Sequence, residues 1–484
     1  MEYIENKEEE QKQTIGIFKD MMKYCPSKII GMIGNTIVIP IYTNLLLPEQ
    51  YGLYSLSIAL LSFLCIIFSD WVGLSGLRFF RKAQLADDLS QYLSTLVLIL
   101  TTNMTLMFGL CAIFQHNMIP FFKVNPMYFW AVLILIIPVA VRALLFQMLR
   151  AQIKPISYTV STILNQFMTI GLSILFIKTL HLGAMSMLLA MGISITITDL
   201  ILMYQSNILK YFKKPKLSWG ILFPIMLYGF PLAASSLSGW IINQSNKVIM
   251  NSIKGFTDVA YVGVAYGATM SILMTLFSIF TVAAIPRIYR IYEAKIDVRP
   301  IVSRFTGYFL LVALPLVTLM AMYSTEIIRL LANVKFMHAS VLVPYFAFGT
   351  LFLCLTDYTT LQYHLANKTW ITFIIKLTSG LSNVALTIYL VPLIGLVGVG
   401  FAVLLSNFLF FFLSSVIRLP NLGARLPVRQ IFYIFLSSIP VFGLYALFIK
   451  KIFVLPAGVQ MCLLITIFYV IYTFVYKLLK PKKA

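Results

Sequence analysis

The stretch YGLYSLSIALLSFLCIIFSDWVGLSGLRFFRK, residues 51–82, decides how the chain is read. From Gly52 to Leu77 it holds a single charged residue, Asp70, and it closes on three cations, Arg78, Arg81 and Lys82. About 20 helical residues cross the roughly 30 Å hydrocarbon core of a bilayer. Cations gathered at one end of such a run anchor that end on the cytosolic side. Similar runs recur along the chain, which has 484 residues, 60% of them hydrophobic and only 11% charged. Its mean hydropathy is +0.91, whereas a soluble domain is about one quarter charged. These figures predict an all-α polytopic membrane protein.

Working outward from that stretch, the apolar runs predict fourteen spans, at 27–47, 52–77, 93–115, 128–149, 156–180, 184–204, 221–243, 259–285, 305–323, 341–363, 371–391, 396–417, 431–449 and 459–476. An even number puts both termini on one side. The side follows from the 37 Lys and Arg residues. Seven lie in odd-numbered gaps (Lys123, Lys178, Lys254, Arg329, Lys335, Lys450, Lys451), twenty-seven lie in the tails and even-numbered gaps, and Arg142, Lys247 and Lys376 stay within spans. That asymmetry predicts cytosolic termini. It also explains the net charge of +21 without nucleic acid. The polar start MEYIENKEEEQKQ reads as a cytosolic tail, 1–26, and not as a signal peptide. A basic tail, 477–484, closes the chain.

The sequence also repeats. LPEQYGLYSLSIALLSF after the first span resembles GFTDVAYVGVAYGATMSIL after the seventh, with Gly52 and Gly263 211 residues apart. LHLGAMSMLLAMGIS resembles PLIGLVGVGFAVLLS, with Gly183 and Gly395 212 apart. Two pairs at one offset predict parallel six-span lobes, 27–204 and 221–417, with two appended spans at 431–476. Transporters use this plan, with the substrate path between repeats.

No enzyme chemistry is visible. The five cysteines and four histidines are scattered, so neither a disulfide framework nor a zinc site is expected. There is no glycine-rich phosphate loop. Asp87 and Asp88 read as a solvated helix cap.

The informative residues are charges where hydrocarbon is expected. Each costs about 2.5–3.5 kcal/mol at mid-bilayer, so it faces a partner or a polar cavity. Lys247, within GWIINQSNKVIMNS, follows Asn243, Gln244, Ser245 and Asn246; it either lines a cavity or snorkels to the outer interface. Lys376 in TFIIKLTSGLSN faces the same choice at the inner edge. Arg142 in IPVAVRALLFQMLRAQ is the third cation. Asp70 and Arg78 are eight residues apart, about two helical turns, near one face. Asp70 pairs with a cation or carries an exchangeable proton, and Asp199 and Asp357 are the other ion-pair or coupling candidates. A cavity lined by Arg142, Lys247, Lys376, Arg78 and Asn246 suits a phosphate-bearing headgroup, which Arg grips bidentately and Lys as a point charge.

Several segments resemble bacterial O-antigen and capsule repeat-unit flippases, members of the multidrug/oligosaccharidyl-lipid/polysaccharide exporter superfamily. IPIYTNLLLPEQYGLYSLSIALLSFLCIIFSDWVGLSGLRFFRK is similar to the family's opening, including its Pro-Glu-x-Tyr-Gly-Leu-Tyr turn and an Asp-x-Gly-Leu-like signal, here one residue longer at Asp70–Leu74. LLFQMLRAQIKPISY resembles the segment before span five, and DVAYVGVAYGATMSILMTLFSIFTVAAIPRIYR resembles span eight. Where the family often shows Asp-Arg late in span seven, this chain has Asn246-Lys247: the cation is kept and the acid is not.

The resemblance implies a transporter, not an enzyme, in the bacterial cytoplasmic membrane. It would carry an undecaprenyl-diphosphate-linked sugar from the inner to the outer leaflet by alternating access, for surface polysaccharide synthesis. It implies membrane lipids and polysaccharide polymerase machinery as partners, no nucleic acid and no cofactor or metal, and leaves coupling to H+ or Na+ open. Alternatives are an ion-coupled multidrug exporter or lipid II flippase of the same superfamily, or a membrane polysaccharide polymerase or ligase.

Overall fold

The computed structural model describes residues 31–449, except 35, 87, 153 and 207–217, and residues 456–479. The tail 1–26, the start of the first span, Cys25, the lysines of loop 207–217, Lys450, Lys451 and the residues from 480 onward lie outside this set. In hydrocarbon a backbone amide or carbonyl has no water to bond, so a spanning segment must close its own hydrogen bonds as a helix. The described residues follow that rule and contain no strand. The helices are α1 (31–45), α2 (Pro48–Leu85), α3 (Leu89–Phe122), α4 (Pro126–Ala151), α5 (Pro155–Leu180), α6 (Ala184–Ser206), α7 (Trp219–Ile253), α8 (Phe256–Glu293), α9 (Arg299–Met322), α10 (Val343–Leu365), α11 (Thr369–Ile394), α12 (Leu396–Val416), α13 (Val428–Ile449) and α14 (Ala457–Leu479).

Thirteen of them, α2 to α14, are long and apolar enough to cross a membrane. They take up the predicted spans in order, and α1 is the described part of the first. The chain is therefore a multi-pass membrane protein.

Helix ends differ from the sequence expectation. α7 runs to Ile253, ten residues past its predicted limit, and α8 runs to Glu293. The long inner loop expected over 285–304 thus shrinks to residues 294–298. The segment after Tyr323, predicted to lie outside, forms a short helix, Ser324–Leu331, and a 3-10 helix, Val334–Leu342. Hydropathy reports where lipid ends, whereas helices continue into the polar zone wherever side chains can complete their hydrogen bonds.

The chain divides into two compact units. One takes in Ile41–Gly263 and Gly380–Val399. There α5 packs on α6, α4 on α6, and α2 against both α4 and α7. Polar ties cross these seams. The indole of Trp240 on α7 donates to the Ala59 carbonyl at 2.9 Å and to Ser62 Oγ at 3.1 Å on α2. Ser194 of α6 donates to the Asn165 carbonyl of α5 at 2.9 Å.

The other unit takes in the described residues up to Pro40, Val264–Ser379 and those from Gly400 onward. There α9 packs on α10, and the α13–α14 pair packs on α9. Tyr323 donates to Gln460 at 2.9 Å, and Tyr445 donates to the Met322 carbonyl. Gln362 of α10 holds the end of α12: its amide donates to the Ser414 carbonyl at 3.3 Å, and its oxygen accepts from Leu419 N at 2.8 Å.

α5 shows how the faces are used. Ile156, Val160, Leu164, Phe167 and Leu175 recur at helical spacing and are all exposed, while Ser161 and Ser173 are buried. This is the reverse of a soluble helix. Small polar side chains let membrane helices approach and bond, and large apolar ones meet lipid.

Two turns require glycine. Gly183 before α6 and Gly395 before α12 have φ of +56° and +61°, a conformation that costs other L-residues about 1–2 kcal/mol. A Cβ on Gly395 would meet nothing, whereas one on Gly183 would strike Gln50, whose oxygen caps Ala184 N at 3.0 Å. Gly395→Ala is expected to lower unfolding stability in detergent by about 1 kcal/mol from the backbone alone. Gly183→Ala is expected to lose about 2 kcal/mol, because the cap is displaced as well. Equal losses would remove Gln50 from the account.

Candidate functional site

The break in α2 accounts for the carboxylate in the opening stretch. Ile66–Asp70 forms a π-helical turn inside the helix, a feature that widens the backbone and frees carbonyls. Side chains supply the missing partners. Ser69 Oγ donates to the Cys65 carbonyl at 3.0 Å, Trp71 Nε1 to Ile67 at 3.0 Å, and Asn103 Nδ2 of α3 to Phe68 at 3.1 Å. Asp70 is half-buried at the end of this turn and accepts from Ser69 Oγ at 3.3 Å.

The expected Asp70–Arg78 proximity does not lead to a pair. Eight residues of helix carry the chain about 12 Å along its axis, and the exposed Arg78 guanidinium instead stacks on Tyr228 of α7, 4.4 Å from the ring centroid. Asp70 forms no ion pair among the described residues.

Arg142 and Asp199 are brought together. Arg142 Nε on α4 donates to Asp199 Oδ1 on α6 at 2.9 Å, and Nη2 lies 2.9 Å from the same oxygen. Nη2 also reaches the Ile195 carbonyl at 3.1 Å and the Thr198 hydroxyl. The guanidinium sits over Phe146, 5.4 Å from its centroid. The side chains are 11% and 5% exposed, so each charge is neutralised inside unit Ile41–Gly263. Asp199 Oδ2 alone is left without a hydrogen bond among the described residues. Nothing in the sequence indicates this pair, because it depends on how two distant helices are rotated about their axes.

Lys247 lies inside α7 and is 7% exposed, beside Asn246 at 1%. The polar run reads as a span end by hydropathy, yet the helix absorbs it. Asn243 donates to the Gly239 carbonyl at 3.0 Å and Ser245 to Ile241, within the helix itself. Asn251, one turn beyond Lys247, donates to the Phe122 carbonyl of α3 at 3.0 Å. The amide oxygens of Gln244 and Asn246 are buried without a hydrogen-bond partner among the described residues. Buried polar atoms in that state usually answer to water or a ligand. Lys247 thus sits in a desolvated part of the unit, on a stretch of α7 rich in amide and hydroxyl side chains.

The second unit holds Asp357 and Lys376. Asp357 on α10 is exposed and Lys376 on α11 is half-buried. They act on each other electrostatically but form no direct ion pair among the described residues. Asn407 of α12 is buried, and its side-chain oxygen has no hydrogen-bond partner among the described residues.

A recess of about 570 Å³ opens in the same unit between the α8–α9 turn and the loop after α12, lined by Glu293, Lys295, Asp297, Arg299 and Asn421. Sequence reasoning did not find it. Arg299 bonds Asp297 through Nη2 at 2.7 Å and Nε at 2.9 Å, and this bonding holds the Asp297 carboxyl below the ordinary carboxylate value. With acids and bases in equal number, the recess has no strong preference for either charge. Among the described residues no group of three His, Cys, Asp or Glu side chains could hold a metal ion.

With that geometry in view, comparison with known proteins is informative. The sequence profile of a family described as "Polysaccharide biosynthesis protein" matches residues 17–292. No curated protein sequence matches the chain. A solved structure described as "Lipid II flippase MurJ, inward closed conformation" superposes with a TM-score of 0.71 at 15% identity, covering 95% of this chain and 98% of that one. An inward-facing multidrug resistance MATE family transporter of the MOP superfamily gives 0.65 at 15% identity, covering 81% and 96%. An outward-facing one gives 0.52 at 16% identity, covering 81% and 93%. These likenesses establish the fold.

The Arg142–Asp199 pair yields a stability test. Removing one partner strands a buried charge and is expected to cost about 3 kcal/mol, whereas replacing both by apolar residues is nearly neutral. Arg142→Met and Asp199→Leu should therefore each lower thermal stability in detergent, and the double variant should recover most of the loss. Losses that simply add would show that the two side chains act independently.

Proposed function

The chain belongs to the polysaccharide biosynthesis protein family, and from that premise we propose that it is a flippase for a sugar repeat unit carried on undecaprenyl diphosphate. It moves that unit from the inner to the outer leaflet of a bacterial cytoplasmic membrane, for O-antigen or capsule assembly, and hands it to polymerase machinery. The observation that carries the reading is Lys247, a cation buried in a membrane-length helix among amide groups. A diphosphate is the chemical group that such a cation suits.

The mechanism rests on the two predicted lobes, 27–204 and 221–417, rocking around a polar path. Gly183 and Gly395, equivalent in the repeat, share a left-handed turn conformation, which supports the duplication. The excess of cations in the tails and even-numbered gaps supports cytosolic termini. In this scheme Lys247 meets the diphosphate and Lys376 offers a second positive charge. Arg142, neutralised by Asp199, holds α4 and α6 together. The path excludes lipid from the sugars, while the polyprenyl tail stays in the bilayer.

A second reading has one observation in its favour: a matched structure with TM-score 0.71 is a lipid II flippase. Both cargoes would be lipid-linked, so the two readings differ in the sugar and not in the mechanism.

Deletion of the gene is expected to leave completed lipid-linked repeat units on the cytosolic leaflet and to stop polymer export. Lys247→Ala should lower export about tenfold at equal expression, since a charged hydrogen bond contributes about 1.5–3 kcal/mol. Lys178→Ala, on an exposed helix end, should leave export nearly unchanged. Normal export after deletion, in a host without a substitute, rejects the function. Equal effects of the two lysine variants remove Lys247 from the headgroup site.

A further inference from the structure

The recess beside the α8–α9 turn carries charges that the fold does not use. Asp297 engages only Nε and Nη2 of Arg299, which leaves Nη1 without a bond among the described residues. Glu293 and Lys295 line the same recess and are exposed. Neither has a hydrogen bond or an ion pair among the described residues. All four belong to one compact unit, the one that holds Val264–Ser379.

Both unpaired charges stand where local preference would not put them. Glu293 is the last residue of α8, at the negative end of the helix dipole, where a carboxylate is disfavoured. Lys295 closes that helix with φ of +60°. Its amide bonds the Tyr292 carbonyl at 2.9 Å, and Ile296 N bonds the Ile291 carbonyl at 3.1 Å. Glycine takes this left-handed position at lower cost. Functional sites are where folds accept such local misfits.

The walls are held in place although the charges are open to solvent. Val298, which lines the recess, is 1% exposed. On the other side Asn421 and Leu422 follow Leu419, whose amide donates to Gln362 of α10 at 2.8 Å. Leu422 N bonds back to the Leu419 carbonyl at 3.3 Å. α9 starts at Arg299 and α12 ends at Val416, so the recess lies within a few residues of two membrane-length helices. Tyr292, Ile296 and Leu422 add apolar lining.

We propose that this recess binds a phosphate ester that bears a primary ammonium group, the headgroup chemistry of phosphatidylethanolamine. Such a ligand is anion and cation at once, which suits a recess with acids and bases in equal number. Lys295 and Nη1 of Arg299 bond the phosphate, with Asp297 fixing the guanidinium. Glu293 accepts from the ammonium group. The apolar lining and the nearby span ends let a lipid's acyl chains stay in the bilayer. The site is independent of the cargo proposed above. With the termini cytosolic, it faces the inner leaflet.

Purified full-length protein in detergent is titrated with phosphatidylethanolamine, phosphatidylcholine or soluble glycerophosphoethanolamine, and bound molecules are counted by native mass spectrometry. The choline headgroup keeps the phosphate but has no N–H for Glu293, so the ethanolamine lipid is expected to bind about tenfold more tightly. Glu293→Gln should abolish that preference, and Lys295→Gln should weaken both lipids. Lys178→Gln, on the exposed end of α5, should change neither. Displacement of the lipid by glycerophosphoethanolamine shows that the headgroup suffices, whatever carries it. Binding of the lipid alone assigns the membrane as the source. Equal affinity for the two lipids, a preference that survives Glu293→Gln, or binding indifferent to Lys295→Gln overturns the site. Export plays no part in the measurement, so failure of the flippase reading leaves its outcome intact.

Discussion

Everything in this structure answers to one constraint: inside a bilayer no backbone amide or carbonyl, and no charge, can be left for water to satisfy. The long helices follow at once. So do the places where a helix is irregular. The π turn at Ile66–Asp70 is tolerated because Ser69, Trp71 and Asn103 take up its carbonyls. The end of α12 is held by Gln362 of α10, which bonds both a carbonyl and an amide there. Arg142 and Asp199 neutralise each other and draw Thr198 and Ile195 into the same cluster. Irregularity and charge occur where side chains have been supplied to receive them.

The same constraint singles out what calls for a functional explanation. Arg142 is bonded to Asp199 and ties α4 to α6. Lys247 is buried in α7, beside amide oxygens of Gln244 and Asn246 that have no hydrogen-bond partner among the described residues. Taking a cation out of water costs free energy. On the proposed function, an anionic headgroup is what that cation meets.

How much of this was legible in the sequence depended on the physics of each feature. The spans and their order were legible, because the transfer of apolar side chains is local and additive. Helix ends were less so. The polar run after Gly239 looks like the edge of the membrane, yet α7 continues because Asn243 and Ser245 bond back to their own helix. The charged candidates were legible as residues and not as partners. Asp70 and Arg78 lie near one face of α2, but two turns of helix separate them along its axis, and Arg78 stacks on Tyr228 instead. Arg142 and Asp199, 57 residues apart, meet because α4 packs on α6. Gly183 and Gly395 were visible as a repeat signal, while the left-handed turn that both adopt required coordinates.

The most direct test of the account is reconstitution. Purified protein is placed in vesicles whose outer leaflet is loaded with a polyprenyl-diphosphate oligosaccharide, and its protection from an impermeant sugar-cleaving enzyme is followed. The account predicts that about half of the lipid becomes protected in vesicles containing protein that equilibrates the leaflets, and that Lys247→Ala protein slows the process. Protection no faster than in protein-free vesicles, under every ion gradient applied, would contradict it.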